Sequence, residues 1–367
     1  MDNDISIEWI NKKTLELENS FGVKEPFDNS KIIDCLNHNN VDKAIHLIAE
    51  YLGLPIKITI EYVPNDYQST NIHNQFHSTH LTKFNTNNDS GGGIFAQVGI
   101  PSNIPFLFSN EFKNYPITIK INEDCKLHPK TFTTVIAHEL THVFLYSLKH
   151  AEKDNEFCTD LTAMILGFNN IFKDGRKLVT KTEKKHDSIS NTITTTTWTR
   201  THGYLNDEQF NHAYNQISNI LNTKRNHKKQ FAKLFKKFNK QLENYQNTIV
   251  KIGRYKTKLN LDKKPVISFE DASKATMFFQ TGYMNKYDDI ISQSKNEQKK
   301  IQFFLKNFNQ YNDFQIKQIS AFKNNLRKCL NQINNSNSEI SSLLKILRNY
   351  VSLFNRIKIS ILCFFRK

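Results

Sequence analysis

Apolar residues change their spacing several times along this 367-residue chain, and each change predicts a different element. Ile32, Ile33, Leu36, Ala44, Ile45, Ile48 and Leu52 recur at helical spacing. They predict one helix over 28–53, closed by Leu54-Pro55. Residues 56–63 then alternate at period two and read as a strand. Residues 65–90 are rich in Asn, Ser, Thr and His and read as loop. The Gly91-Gly92-Gly93 run leads into a second strand over 94–100, and 117–121 is a third. Pro129 fits the first turn of a helix running from about 131 to 148. A further helix spans 156–168 and ends near Gly167 and Asn169-Asn170. The threonine-rich stretch 171–200 reads as a hairpin or a mobile flap. A helix begins after Gly203-Tyr204-Leu205, with Asn206 or Asp207 as its N-cap.

After Asn222 the period changes. Phe231, Phe235, Phe238, Leu242, Tyr245, Ile249 and Ile252 step by four and three, a 3.5-residue repeat that Gly253 is expected to break. A second repeat places Ile319, Leu326, Ile333, Ile340, Leu347 and Phe354 every seven residues. Phe322, Cys329, Ser336, Leu343, Tyr350 and Ile357 hold the companion position. Such repeats pair within one chain or across chains, and the latter would make a homo-oligomer. The pattern predicts an α+β fold: a small mixed sheet packed on a central helix and the helices after it, then an all-α or coiled-coil region. The boundary falls between residues 1–222 and 223–367.

Charge supports that boundary. Residues 1–222 carry 20 Lys and Arg against 26 Asp and Glu, and residues 223–367 carry 30 against 9. A front part of −6 thus precedes a back part of +21, which together give the chain's +15. The basic part suits an anionic membrane surface or a nucleic acid. The stretch 351–367 is apolar with interspersed cations, and is expected to pack in an oligomer or lie in a membrane interface. No run of 18 apolar residues predicts a membrane span, and the acidic start does not read as a signal peptide. The cysteines Cys35, Cys125, Cys158, Cys329 and Cys363 are scattered and odd in number. They predict free thiols and a cytoplasmic protein, with peripheral membrane association open.

The 131–148 helix carries His138-Glu139-Leu140-Thr141-His142. Histidines at i and i+4 share one helical face, so both imidazoles reach one metal ion. Glu139 stands beside that metal as general base. Zinc hydrolases take three protein ligands and leave a position for water. Glu156 and Asp160, an i, i+4 carboxylate pair on the next helix, are the candidates for the third. The reading favours Glu156 as ligand, with Asp160 orienting a ligand histidine through its far ring nitrogen. The tight connection leaves Asp160 open as the ligand instead. Cys125, just before the helix, reads as an ordinary thiol.

His138-Glu-Leu-Thr-His142 followed by Glu156-x-x-x-Asp160 resembles the gluzincin group of zinc metallopeptidases, in a minimal bacterial-like form. The resemblance covers roughly residues 28–222, and Gly203-Tyr204-Leu205 is similar to segments in such bacterial proteins. It implies zinc held by His138, His142 and Glu156, with Asp160 behind them, and hydrolysis of a protein or peptide substrate by zinc-activated water. A second electrophile usually helps hold the oxyanion in such chemistry, and His202 and Tyr204 are the candidates. The resemblance also implies that 117–121 offers a strand edge to an extended peptide. A different class of function stays open: a non-catalytic interaction or scaffold protein, with a peptidase-like binding domain and a coiled coil that assembles partners.

Overall fold

The computed structural model describes residues 5–64, 67, 75–78, 83–84, 95–187, 192–258, 283–308 and 310–349. They form two compact units, Met1–Thr223 with Gln310–Asp313, and Lys224–Asn309 with Phe314–Lys367. The class is α+β with a helical C-terminal region, as the sequence pattern predicts.

In the first unit, α1 (Ile7–Phe21) and the short β1 (Val23–Lys24) precede α2 (Ser30–Asn37) and α3 (Val41–Leu52). Ser6 caps α1, accepting a hydrogen bond from the Trp9 backbone N–H. The single helix expected over 28–53 is thus two. Asn39 takes a left-handed conformation (φ 56°), and Asn40 caps α3 by accepting from the Lys43 N–H. Asn tolerates that backbone and bonds it locally, which a periodicity of apolar residues does not register.

The sheet contains β2 (Lys57–Val63), β3 (Gln75–His77), β5 (Ala96–Pro101) and β6 (Pro116–Asn122), in the order β2-β6-β5-β3. β2 and β6 are parallel, and the other pairs are antiparallel, so the sheet is mixed. Two expectations are corrected here. The polar stretch 65–90, expected as loop, contains β3 and β4 (Lys83–Phe84), and most of its other residues lie outside the described ones. β6 lies between β2 and β5, so 117–121 is interior and offers no edge to a peptide; among the described strands β2 and β3 are the edges.

The motif helix α4 (Pro129–Ser147) opens with proline at its first turn and is buried at every position from Thr131 to Ser147. It is wrapped by α2, α3, β5, α5 (Glu156–Ala163) and α6 (Asn169–Gly175). Burial all round explains why its sequence is apolar on every face rather than striped. Lys149 ends it in a left-handed turn (φ 53°), with His150 N–H on Leu145 O and Lys149 N–H on Tyr146 O. These crossed bonds turn the chain back at once, so α5 returns beside α4. The helix expected to stop near Gly167 kinks there through a π-turn over Met164–Phe168, then resumes as α6. The threonine-rich stretch forms an antiparallel hairpin of β7 (Lys177–Asp187) and β8 (Thr192–Thr201). Near the far end of the chain, β9 (Gln310–Tyr311) pairs with β1.

α7 (Asp207–Lys258) starts as the sequence predicts. Asn206 Oδ1 accepts from Gln209 N–H, and Gln209 Oε1 accepts from Asn206 N–H, a reciprocal capping box. It runs through Gly253 to Lys258, which corrects the expected break. One helical glycine costs about 1 kcal/mol, and the buried Ile252 and Tyr255 flanking it outweigh that. In the second unit, residues of α7 pack with α8 (Tyr283–Lys306) and α9 (Asp313–Asn349). Both heptad series are the core: Phe231 through Ile252 from α7, and Ile319, Leu326, Ile333, Ile340 and Leu347 from α9. They meet within one chain, and Phe231 stacks on Phe322. Phe354, Tyr350, Ile357 and the stretch 351–367 lie outside the described residues. No helix among the described residues is long and apolar enough to cross a membrane. Cys35, Cys125, Cys158 and Cys329 are free and buried, and Cys363 lies outside the described residues.

Candidate metal centre

Three side-chain atoms converge where α4 meets α5. His138 Nε2 lies 3.0 Å from Glu156 Oε2, His142 Nε2 lies 2.9 Å from the same oxygen, and the two Nε2 atoms are 3.1 Å apart. Among the described residues this is the group of histidines, cysteines and carboxylates that could hold a metal ion. Asn155 builds the entry to α5 by accepting from Cys158 N–H, which sets Glu156 at the helix start, facing the histidines.

Asp160, one turn further on, does a different job. Its Oδ1 lies 2.8 Å from His138 Nδ1, and its Oδ2 accepts from the Tyr204 backbone N–H at 2.7 Å. The proton of His138 therefore sits on Nδ1, leaving a lone pair on Nε2. Thr159 works likewise on the second ring. Its hydroxyl donates to Asn155 O and so accepts from His142 Nδ1 at 3.4 Å.

This arrangement fits a metal. Two bare imidazole nitrogens and a carboxylate oxygen are all acceptors, and three acceptors this close need a cation or a shared proton between them. Tetrahedral bonds of about 2.0–2.1 Å put ligand atoms about 3.3–3.4 Å apart, so the three atoms need to part by only a few tenths of an ångström. A proton on His138 Nε2 can serve in the cation's place. Burial opposes charge on this ring, but its bonds to Asp160 and Glu156 prevail and hold its pKa well above the usual imidazole value, so a metal ion would displace that proton to take the lone pair. Burial lowers that of His142. Burial also works against the Glu156 carboxylate, yet the two histidines keep it well below the usual range.

Glu139 is fully buried on the same helix, and burial pushes its pKa up to about 7. Its Oε2 accepts from the Ser78 hydroxyl and from Val98 N–H at 3.1 Å. Its Oε1 is buried with no hydrogen-bond partner among the described residues. Phe76 lies against His142, ring centroids 5.1 Å apart.

Comparison with protein-family models, curated proteins and solved structures finds no match.

The two candidate electrophiles are placed differently. Tyr204 stacks on the His138 ring at 5.7 Å and 21°. Gly203 before it approaches Asp160 so closely that a Cβ there would lie 3.1 Å from Oδ2. His202 is buried against Phe95, and its backbone N–H bonds Arg176 O. Arg176 itself is buried and holds this segment by bonding Leu205 O and Asp207. Ser78, Val98, Thr159 and Arg176 carry no motif, and no sequence signal marks them.

Two outcomes follow from these contacts. Asp160→Asn removes the charge that orients His138 and offers an amide where two N–H groups seek acceptors. Metal affinity should fall about 10- to 100-fold, read by competition with a chelating dye. For His202, burial drops the pKa from 6.5 to about 4, so the ring is neutral near pH 7. A lowered native pKa stabilises the fold above pH 6.5, and that stability is lost as pH falls toward 4. The linkage amounts to about 2–3 kcal/mol between pH 7.5 and 4.5. His202→Phe should be spared that loss, so metal-free wild type and variant should diverge in urea unfolding at pH 4.5 by this amount more than at pH 7.5.

Proposed function

We propose that residues 1–222 are a zinc-dependent peptidase of the gluzincin kind, acting on protein or peptide substrates. The observation that carries this reading is the convergence of His138 Nε2, His142 Nε2 and Glu156 Oε2, with a buried carboxylate oxygen of Glu139 on the same helix that has no hydrogen-bond partner among the described residues. Two histidines and one glutamate are the ligand set of zinc hydrolases that keep an open position. Zinc held by these three would supply Lewis acidity to a peptide carbonyl and acidify a water.

The chain's own residues do the rest. Asp160 and Thr159 fix the tautomers of the two histidines, which keeps both Nε2 atoms available. Glu139 takes a proton on Oε1 and delivers it to the leaving amine; a pKa near 7 serves both directions. Tyr204, stacked on a ligand ring, is better placed than the neutral His202 to help hold the oxyanion.

The test is metal analysis of purified protein combined with cleavage of a mixed-sequence quenched fluorogenic peptide pool. One zinc per chain and cleavage that stops with a chelator and returns with zinc are expected. Folded protein that takes up no zinc overturns the reading.

A further inference from the structure

We propose that Ser78 is a positioning residue for the general base: its hydroxyl pins Oε2 of Glu139 so that Oε1 is the oxygen that moves the proton. The inference rests on the peptidase reading of the centre. Ser78 follows β3 directly and is fully buried. Its own placement is over-determined. The backbone N–H donates to Val98 O at 3.3 Å, and the carbonyl accepts from Gln97 Nε2 at 3.0 Å. Gln97 is itself buried, so this bond is shielded from water.

The hydroxyl has two partners at once. It accepts from Val98 N–H at 3.0 Å and donates to Glu139 Oε2. Val98 N–H also reaches that oxygen, at 3.1 Å. A carboxylate is free to turn about its last bond and exchange its oxygens, unless one oxygen holds donors that the other lacks. Here Oε2 holds two and Oε1 holds none among the described residues. Val98 N–H also answers to Ser78, so the hydroxyl is the donor whose proton goes wholly to the carboxylate. A hydrogen bond to a buried charged group is among the stronger ones. A serine at the end of an edge strand thus sets the working face of a base 61 residues away.

Zinc-loaded wild type, Ser78→Ala and Ser78→Thr, assayed on the same peptide pool, test this. Ser78→Ala should lower kcat about 10- to 100-fold with KM and bound zinc unchanged, and Ser78→Thr, which keeps the hydroxyl, should recover most of the loss. An alanine variant with wild-type or higher kcat overturns the inference, as does a loss that falls equally on zinc content. Should wild type bind zinc but cleave nothing, the peptidase reading falls and acetohydroxamate decides the inference separately, because its hydroxyl proton needs an acceptor such as Glu139. Weaker acetohydroxamate binding by Ser78→Ala than by wild type then supports positioning, and equal affinity overturns it.

Discussion

Glu139→Gln is expected to lower peptide cleavage by about 10²–10⁴-fold while bound zinc stays at one per chain. The substitution keeps shape and volume in a fully buried place, so packing around α4 is preserved. The amide oxygen can still accept from Ser78 and Val98 as Oε2 does now. The amide nitrogen then stands where Oε1 stood, and it cannot take a proton. The metal ligands are left alone: His138, His142 and Glu156 keep their contacts with Asp160, Thr159 and one another. Zinc analysis beside the peptide assay separates the two effects. Parallel loss of zinc and activity would mean that Glu139 supports the fold of the site rather than the proton transfer. Because the variant should still bind what it cannot cut, it also serves to trap the substrate from a protein mixture.

What the sequence made legible shares one property: it is local. The repeat from Phe231 to Ile252 states which helical face is buried, and those side chains are the core of the second unit. His138, Glu139 and His142 sit within five residues, and Glu156 and Asp160 within five more on the next helix. The short connection at Lys149 brings the two helices together, so proximity in sequence became proximity in space. The missed features depend on distant pairing or on single-residue backbone geometry. Ser78 lies in a polar stretch, and its role exists only because β3 pairs with β5. Val23 finds its partner in Tyr311. The interior position of β6 follows from the parallel register with β2, which alternation within each strand does not encode. Asn39 split a helix whose apolar positions read as continuous. Of the two candidate electrophiles, two positions apart in sequence, one faces a ligand ring and the other Phe95, a difference that the turn at Gly203 creates.

Gly167→Ala should cost about 4 kcal/mol or more of stability, enough to unfold much of the first unit. Gly167 has φ 105°, outside the conformations that alanine adopts without strain of about 1–3 kcal/mol. A Cβ there would also strike the Tyr51 hydroxyl and lie 2.5 Å from the backbone oxygen of Glu25. The hydroxyl is bonded to that same oxygen, and Gly167 O accepts from Phe27 N–H, so neither neighbour can give way alone. Tyr51, Phe27 and Phe168 are packed ring against ring around the kink. The strain would fall between α5 and α6, on the helix that presents Glu156 and Asp160. Urea unfolding of the metal-free protein reads the loss as a lowered midpoint. Adding Tyr51→Phe removes one of the two obstacles and should restore only part of the stability, because the Glu25 carbonyl and the backbone angle remain. Full recovery in the double variant would place the whole cost in the hydroxyl contact and none in the backbone. A Gly167→Ala protein as stable as wild type would mean that the kink is not required to hold the ligand helix where the two histidines meet it.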